Sequence, residues 1–490
     1  MSFQDLSEFI AFLDRQGDLH RITAPVSCEL EIAEIADRMV KTGGPALLFE
    51  NVTGHTMPVV IGLFAAERRT AWALGVEKLD DLAARFLGLL QLIHGPPAGL
   101  LNKLKTLGQL AQLAGMRPKT VRHAPCQEVV LQGDAADLSK FPILKCWPLD
   151  GGPFITLPLV ITRDPQTGVQ NYGMYRLQVF DQRTTGLHWQ THKVGARHNR
   201  LAQELGITRM EVAIALGGDP ASIWTGSAPL PPDVDEMLLA GFIRKEGVEL
   251  APAKTVDLLV PAQAEIVLEG YMTPGEERLE GPFGDHTGYY SMPEPYPVFH
   301  LTCITRRHNP IYPTTIVGRP PSEDYFMGKV TERLFLPMIK LVLPEVVDIN
   351  MPAEGVFHNL VLVSIKKEYP GQARKVMYGL WGLGLMSLAK TIIVVDHFVN
   401  VQNPSEVAWR VASNLDPGRD VVLASGPVDD LDHASTTPKF GSKVGIDATQ
   451  KSAAEGYTRQ WPPDIVMSEE VKSLVDRRWQ EYGIDLRASK

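Results

Sequence analysis

The chain is poor in cysteine, carries no excess of positive charge and has no long apolar run. Its 490 residues include only four cysteines, Cys28, Cys126, Cys146 and Cys303. They lie far apart and form no C-x-x-C pair, which excludes a disulfide framework and a cysteine zinc site and points to reduced core thiols. Lys and Arg number 48 against 57 Asp and Glu, a net charge of −9. A phosphate-rich partner needs a basic surface, so nucleic acid is excluded as the main partner. No stretch of about 18 uncharged apolar residues occurs, so no membrane span is expected. The opening "MSFQDLSEF" lacks a basic segment followed by an apolar one, so no secretory signal is expected either, and a cytoplasmic location follows. Hydrophobic residues make up 44% and charged residues 21%, the composition of a globular protein of two or three domains.

Three textures follow one another. In the first 118 residues helix and strand signals alternate. Leu6, Phe9, Ile10 and Leu13 share one helical face, "EIAEIADRMVKTGG" reads as a second amphipathic helix, and "ALLFENV" and "MPVVIGLF" read as short buried strands. Apolar helical stretches run on from Leu79 to about Ala114. From 119 to 318, short alternating runs lie between turns: "QEVVLQGD", "ITLPLVITRD", "VQNYGMYRLQVFD", "AEIVLEGY", "YPVFHLTCITRR". They predict an antiparallel sheet or barrel with a helical insertion over about 196–250. From 319 to 490 the α/β pattern returns, with "LVLVSIKK", "GQARKVMYGLWGLGLM", "TIIVVD", "PSEVAWRVASNL" and "DVVLAS" as a βαβαβ run. "GLWGLG" lacks the G-x-G-x-x-G order and is expected within a helix, so it is not a dinucleotide fingerprint. Residues 438–451, "PKFGSKVGIDATQK", read either as a Gly-rich segment lining a cleft or as a plain inter-domain loop.

The middle third concentrates polar residues of chemical interest. "NYGMYRLQ" puts Asn171 and Arg176 five residues apart on one expected strand, where an odd spacing sends them to opposite faces unless Gly173 hosts a bulge. "LHWQTHKVG" offers His188, Trp189, Gln190, His192, Lys193 and Val194. Glu236 opens an expected helix. "EGPFGDHTGYY" sets Glu280 and Asp285 on either side of a Gly-Pro-Phe-Gly turn. Taken singly, each has a bland reading: a satisfied core histidine, a structural ion pair, an acid that suits a helix N-terminus, a solvated turn.

Taken together, N-x-x-x-Y-R, W-x-x-H, D-E and E-G-P-F-G-D-H-T-G-Y-Y resemble the motif series of the UbiD-type decarboxylases. "EIAEIADRMVKTGGPALLFENVTG", "APCQEVVLQGDAADLSKFPILKCWP", "PAQAEIVLEGY", "GRPPSED" and "GSKVGIDATQK" carry the resemblance nearly end to end. They are similar to the branch that decarboxylates polyprenylated 4-hydroxybenzoates in ubiquinone biosynthesis.

The resemblance implies an N-terminal α/β region (1–118), a flavin-reductase-like split β-barrel carrying the cofactor site (119–318), and a C-terminal α/β domain with a tail helix (319–490). It implies prenylated FMN, made by a separate flavin prenyltransferase, and a divalent metal, usually Mn²⁺, with K⁺ or Na⁺ nearby. Asn171, His192 and Glu236 match the metal ligands. Met174, Tyr175, Arg176, His188, Trp189, Gln190, Lys193 and Val194 match the cofactor-contacting stretches. Arg176, Glu280 and Asp285 match the catalytic trio. An Arg that holds Glu280 ionised would leave Asp285, as the second acid in a shared site, protonated and able to donate at neutral pH. A homo-oligomer, dimer or hexamer, is also implied, with peripheral membrane association left open. The other readings are a reversible decarboxylase of a small phenolic or heteroaromatic acid, a non-catalytic subunit of a quinone-biosynthesis assembly, and a plain FMN oxidoreductase.

Overall fold

A computed structural model describes residues 2–94, 113–231 and 234–484. The N-terminal helices form where periodicity places them, over Leu6–Arg15 and Glu31–Lys41. Asp5 caps the first by accepting from the Glu8 amide, and Leu6, Phe9, Ile10 and Leu13 are all buried. The strands Leu19–Ile22, Ala46–Phe49 and Val59–Ile61 make a sheet whose fourth strand, Tyr312–Thr314, returns from 250 residues later to pair parallel with Val59–Ile61. Part of the apolar stretch from Leu79 is the helix Asp80–His94. The rest of it, over 95–112, lies outside the described residues.

The middle third builds a seven-stranded antiparallel sheet. Its long hairpin, Ile266–Glu280 with Glu294–Arg306, runs up to the "EGPFGDHTGYY" turn. The expected barrel strands are present, but among the described residues their pairing follows an open path, from Thr184–Gly186 at one edge to Gln170–Gly173 at the other. The stretch read as a helical insertion is more than that. It holds helices Val194–Glu204, Pro220–Thr225 and Glu236–Arg244, and also the strand Met210–Leu216, which pairs with both Ile266–Glu280 and Pro158–Arg163 in the middle of the sheet. "MEVAIAL" is buried on both faces, so it lacks the alternation that marks a half-exposed strand.

Two further expectations are corrected. Asn171 and Arg176 do not share a strand: the first ends at Gly173, and the chain re-enters strand pairing only at Leu177–Gln178, in a separate two-stranded sheet. Gly173 permits the departure because a β-carbon there would sit 2.2 Å from the Tyr175 ring. The 438–451 segment is not a loop throughout, since Phe440–Asp447 is a strand inside the five-stranded C-terminal sheet, parallel to Thr391–Asp396 and antiparallel to Val421–Pro427. Its glycines hide it from a strand reading, yet Gly445 fits because a β-carbon would lie 2.5 Å from the Met377 sulfur. The helix Glu323–Val342 leads from the middle third into this sheet and forms one wall of the cavity described next.

Candidate active site

The "EGPFGDHTGYY" turn is a fixed loop. Glu280 ends its strand, and the Gly281 amide donates to Gln178 Oε1 at 2.7 Å. The Gly284 amide donates to Asp150 Oδ1 at 2.7 Å, and the Asp285 amide donates to the Tyr289 carbonyl at 3.0 Å. Gly284 lies so close to Trp147 that a β-carbon would come within 2.2 Å of the indole. These ties bring both carboxylates to Arg176, more than a hundred residues earlier in the chain.

Arg176 bridges them. Its Nε donates to Glu280 Oε1 at 2.9 Å, its Nη2 to Glu280 Oε2 at 3.2 Å, and its Nη1 to Asp285 Oδ2. The guanidinium carbon sits 4.5 Å from the Phe283 ring centroid, and Ser291 Oγ accepts from Nη2 at 3.3 Å. His188 Nδ1 lies 3.0 Å from Glu280 Oε2, with the imidazole packed on Tyr296. His286 Nδ1 lies 2.8 Å from Asp285 Oδ1. Arg176, Glu280 and Asp285 are all buried, with side chains 9%, 1% and 8% exposed.

This geometry overturns the expected protonation of Asp285. Burial pushes its carboxyl up, but the Arg176 charge and the His286 contacts outweigh that and hold it well below the usual carboxylate range. Glu280 is also held low: burial opposes this, and the His188 and Arg176 contacts prevail. A guanidinium lying between two carboxylates satisfies both, so neither needs a proton. The proton sits instead on His286, where burial opposes the charge but Asp285, Asp324 and Asp429 raise the imidazole to about 9.

A cavity of about 630 Å³ opens in front of this cluster, within the size range of cofactor and ligand sites. Of the residues matched to cofactor contacts, Met174, Tyr175, Arg176, His188, Gln190 and Lys193 line it, and so does His192 from the expected metal set. Trp189 does not; it is buried edge-on to Tyr175, and its indole N–H has no hydrogen-bond partner among the described residues. Asn171, Val194 and Glu236 line a separate, water-sized pocket. The structure therefore brings Asn171 and Glu236 together but leaves His192 on the larger cavity, on an exposed part of its loop. Among the described residues no group of three His, Cys, Asp or Glu side chains is placed to hold a metal.

Two features nevertheless fit charged ligands. Glu236 accepts from the Tyr172 amide at 3.0 Å and pairs with no cation among the described residues; burial raises its carboxyl to about 7, the condition a bound cation would relieve. Lys193 is a sheltered ammonium with no hydrogen bond or ion pair among the described residues, and burial lowers it. A phosphate would complete it. The far wall of the cavity is apolar, formed by Met327, Phe335, Met338, Ile339 and Val342 of one helix together with Leu383 and Leu388.

Several members of the site escape sequence reading. Ser291 and Tyr296 are anonymous in sequence, Phe283 stood in the motif only as part of a turn, and Asp150 and Gln178 act through contacts no motif records. Asp324 stands in "GRPPSED", a stretch that signalled kinship without signalling a role.

Family models described as the N-terminal, Rift-related and C-terminal domains of 3-octaprenyl-4-hydroxybenzoate carboxy-lyase match residues 10–86, 119–320 and 325–448. An uncharacterised protein of Archaeoglobus fulgidus is 54% identical over 98% of this chain and 99% of its own length. Another from Aquifex aeolicus is 51% identical over 99% of both. Among solved structures, the UbiD-class enzyme HmfF from Pelotomaculum thermopropionicum in complex with FMN is 30% identical, covers 94% of this chain and 97% of that one, and superposes with a TM-score of 0.78. Vanillic acid decarboxylase of Sedimentibacter hydroxybenzoicus in its closed form is 26% identical over 99% and 100%, with a TM-score of 0.84.

Proposed function

The chain belongs to the UbiD family of carboxy-lyases, and from that premise we propose that it is a prenylated-FMN-dependent decarboxylase of a 4-hydroxybenzoate-type acid bearing an apolar substituent. The observation that carries the substrate reading is the cavity itself, with the Arg176–Glu280–Asp285 cluster at one end and the apolar wall at the other. That polarity suits an aromatic acid whose carboxylate reaches the cluster while a prenyl chain lies along the helix Glu323–Val342. An HmfF structure in complex with prenylated FMN supports the cofactor. When bound, that group supplies an electrophilic centre that takes up the electron pair left as CO₂ departs.

The chain's own residues position, shield and protonate. Lys193 would offer its ammonium to the cofactor phosphate, and Asn171 and Glu236 would hold a divalent cation, Mn²⁺ in this reading; His192, expected as the third donor, lines the larger cavity instead. A monovalent K⁺ or Na⁺ belongs to the same reading. Arg176 keeps Glu280 ionised and in place. A substrate carboxylate entering beside Arg176 competes with Asp285 for the guanidinium. Asp285 then gains proton affinity where His286 already holds a proton against its Oδ1. The Nδ1 proton passes to Asp285, and Asp285 delivers it to the ring carbon as CO₂ leaves. A para-hydroxyl assists by feeding electron density into the ring.

The three-part division at 118 and 318 and the split-barrel description belong to the same reading. It also makes the protein a homo-oligomer. The tail supports this: helix Glu469–Arg478 has no buried residue, and Ile465, Val466 and Met467 just before it are exposed. The intact Arg176–Glu280–Asp285 cluster disfavours a non-catalytic subunit. Among the described residues no helix is long and apolar enough to cross a membrane.

Protein co-produced with a flavin prenyltransferase and assayed by CO₂ release tests the substrate class. Burying one five-carbon prenyl unit at about 0.8 kcal/mol per carbon is worth about 4 kcal/mol, on the order of 1,000-fold in kcat/KM over the unsubstituted acid. Equal turnover of prenylated and plain acids would move the assignment to a small phenolic or heteroaromatic acid. Full activity with unmodified FMN would remove the cofactor reading. Glu236→Ala is expected to weaken retention of metal and cofactor by about 10- to 100-fold while leaving Tm close to wild type. Stoichiometric Mn²⁺ and flavin after desalting would contradict that role.

A further inference from the structure

We propose that Phe357 is a specificity-determining residue: its ring closes the cavity beside His286 and excludes aromatic acids that carry a fused ring or other bulk next to the carboxylate. The inference rests on the reading that the substrate carboxylate lies at the Arg176–Glu280–Asp285 end, and it assigns a task there to a side chain from the C-terminal third. Phe357 and Gly328 both line the cavity. The phenyl centroid stands 5.3 Å from that of the His286 imidazole, with the two rings tilted by 50°. The same phenyl fills the notch left at Gly328, where a β-carbon would meet two of its atoms at 2.6 Å and 2.8 Å. Gly328 lies four residues beyond Asp324, about 6 Å along a helix whose cavity-lining residues run on to Val342. Phe357 therefore stands at the polar end of the cavity, and the apolar wall from Phe335 to Val342 lies farther along the helix.

The backbone fixes where this ring stands. Residues 352–359 form a hydrogen-bonded turn ahead of the strand Leu360–Ile365. The Gly355 amide donates to the Pro352 carbonyl at 2.9 Å, the Val356 amide to the Ala353 carbonyl at 3.0 Å, and the Asn359 amide to the Gly355 carbonyl at 3.0 Å. Within the turn Val356 and Phe357 adopt φ values of 39° and 68°, a region that β-branched and bulky residues avoid. Such strain persists only where the surroundings impose it, and it gathers at ligand sites. The surroundings here are tight. A β-carbon at Gly355 would lie 2.6 Å from that of Leu360, and His358 Nε2 lies 3.5 Å from Asp429 Oδ2. A ring on a loose loop would turn aside for a larger ligand, whereas one seated at Gly328 on a fixed turn holds its ground. His286 contacts Asp285, which in turn meets Arg176, so a ring packed on His286 borders the edge of a bound acid nearest its carboxylate. Bulk at the ring carbon adjacent to the carboxylate meets Phe357. A chain farther round the ring, next to a para-hydroxyl, runs along the helix instead.

The test compares 4-hydroxybenzoate with 4-hydroxy-1-naphthoate, which keeps the para-hydroxyl and adds a fused ring beside the carboxylate, in enzyme loaded with cofactor. Wild type should favour the single ring in kcat/KM, and Phe357→Ala should shift the ratio toward the naphthoate by about 10- to 100-fold, the scale on which pocket size discriminates hydrocarbon groups. Gly328→Ala supplies the complementary change, because its methyl needs the space that Phe357 occupies. With Phe357 present it should weaken both acids by about tenfold, and in the Phe357→Ala background it should change neither by more than about twofold. Dissociation constants of two unreactive analogues, 4-hydroxybenzenesulfonate and 4-hydroxynaphthalene-1-sulfonate, measured by calorimetry, should give the same ratios without turnover. A ratio unchanged in Phe357→Ala overturns the proposal, as does a wild type that prefers the fused ring or a Gly328→Ala effect of equal size in both backgrounds. If Phe357→Ala does not fold, Phe357→Leu decides, since the smaller side chain must move the ratio the same way. A wild-type enzyme that decarboxylates neither acid refutes the substrate reading, and the sulfonate ratio then decides the role of Phe357 by itself.

Discussion

Asp285→Asn is expected to lower turnover by about 10²- to 10⁴-fold, the usual worth of a placed general acid. The substitution keeps size and shape and removes two things at once. The carboxyl can no longer carry a proton to the ring carbon. His286 also loses its nearest anion, so the imidazole falls back toward its ordinary range and is largely neutral at pH 7. Flavin and metal should stay bound, because Lys193, Asn171 and Glu236 lie on other segments. Solvent deuterium should enter the vacated ring position in the wild-type product. Exchange of that ring hydrogen with solvent should disappear in the variant, since one acid serves both directions. Turnover within a few-fold of wild type would mean that Asp285 is not the acid and that His286 or a cavity water delivers the proton directly.

Arg176→Ala should be more damaging still, because it strikes stability and chemistry together. Removing one partner of a buried ion cluster typically costs about 3–5 kcal/mol, since the remaining charges stay buried without compensation. Here two carboxylates lose their shared cation. The pH dependence reveals the cause. In wild type both carboxyls are held below their ordinary values, so their contribution to stability is present at neutral pH and lost as pH falls through the folded values. Without Arg176, burial prevails at Glu280 and its folded value rises above the unfolded one. The variant should then be relatively most stable in mild acid and lose stability as pH rises toward 8. Melting temperatures across pH 4 to 8 check this, and a variant curve parallel to wild type would remove the electrostatic account. Activity should be lost over the whole range, because a protonated Glu280 no longer matches the site.

Periodic signals and kinship were legible from residue order alone. Leu6, Phe9, Ile10 and Leu13 repeat at helical spacing, and the buried runs "ALLF" and "TIIVVD" are strands where expected, because local spacing is enough to choose between helix and strand. The motif series from Asn171 to Tyr290 indicated the family and which side chains to watch, since chemistry restricts residue type more tightly than fold does. Two central strands, Met210–Leu216 and Phe440–Asp447, were hidden for opposite reasons. One is apolar on both faces and has no alternation. The other is glycine-rich because Met377 and Trp381 fill the space a side chain would take at Gly445, and Ser435 fills that at Gly441.

Residue order could not determine the charge state of the site. Two acids five residues apart suggest mutual repulsion and a shared proton. That holds only if nothing cationic stands between them, and the turn places the guanidinium of Arg176, 104 residues before Glu280 and 109 before Asp285, in that position. Protonation follows from distances of a few ångströms between groups remote in the chain, because Coulomb energies at buried sites change by several kcal/mol over such distances. The sequence determined which groups could carry the proton. Only the tertiary packing of Arg176 and His286 around Asp285 decided which of them holds it.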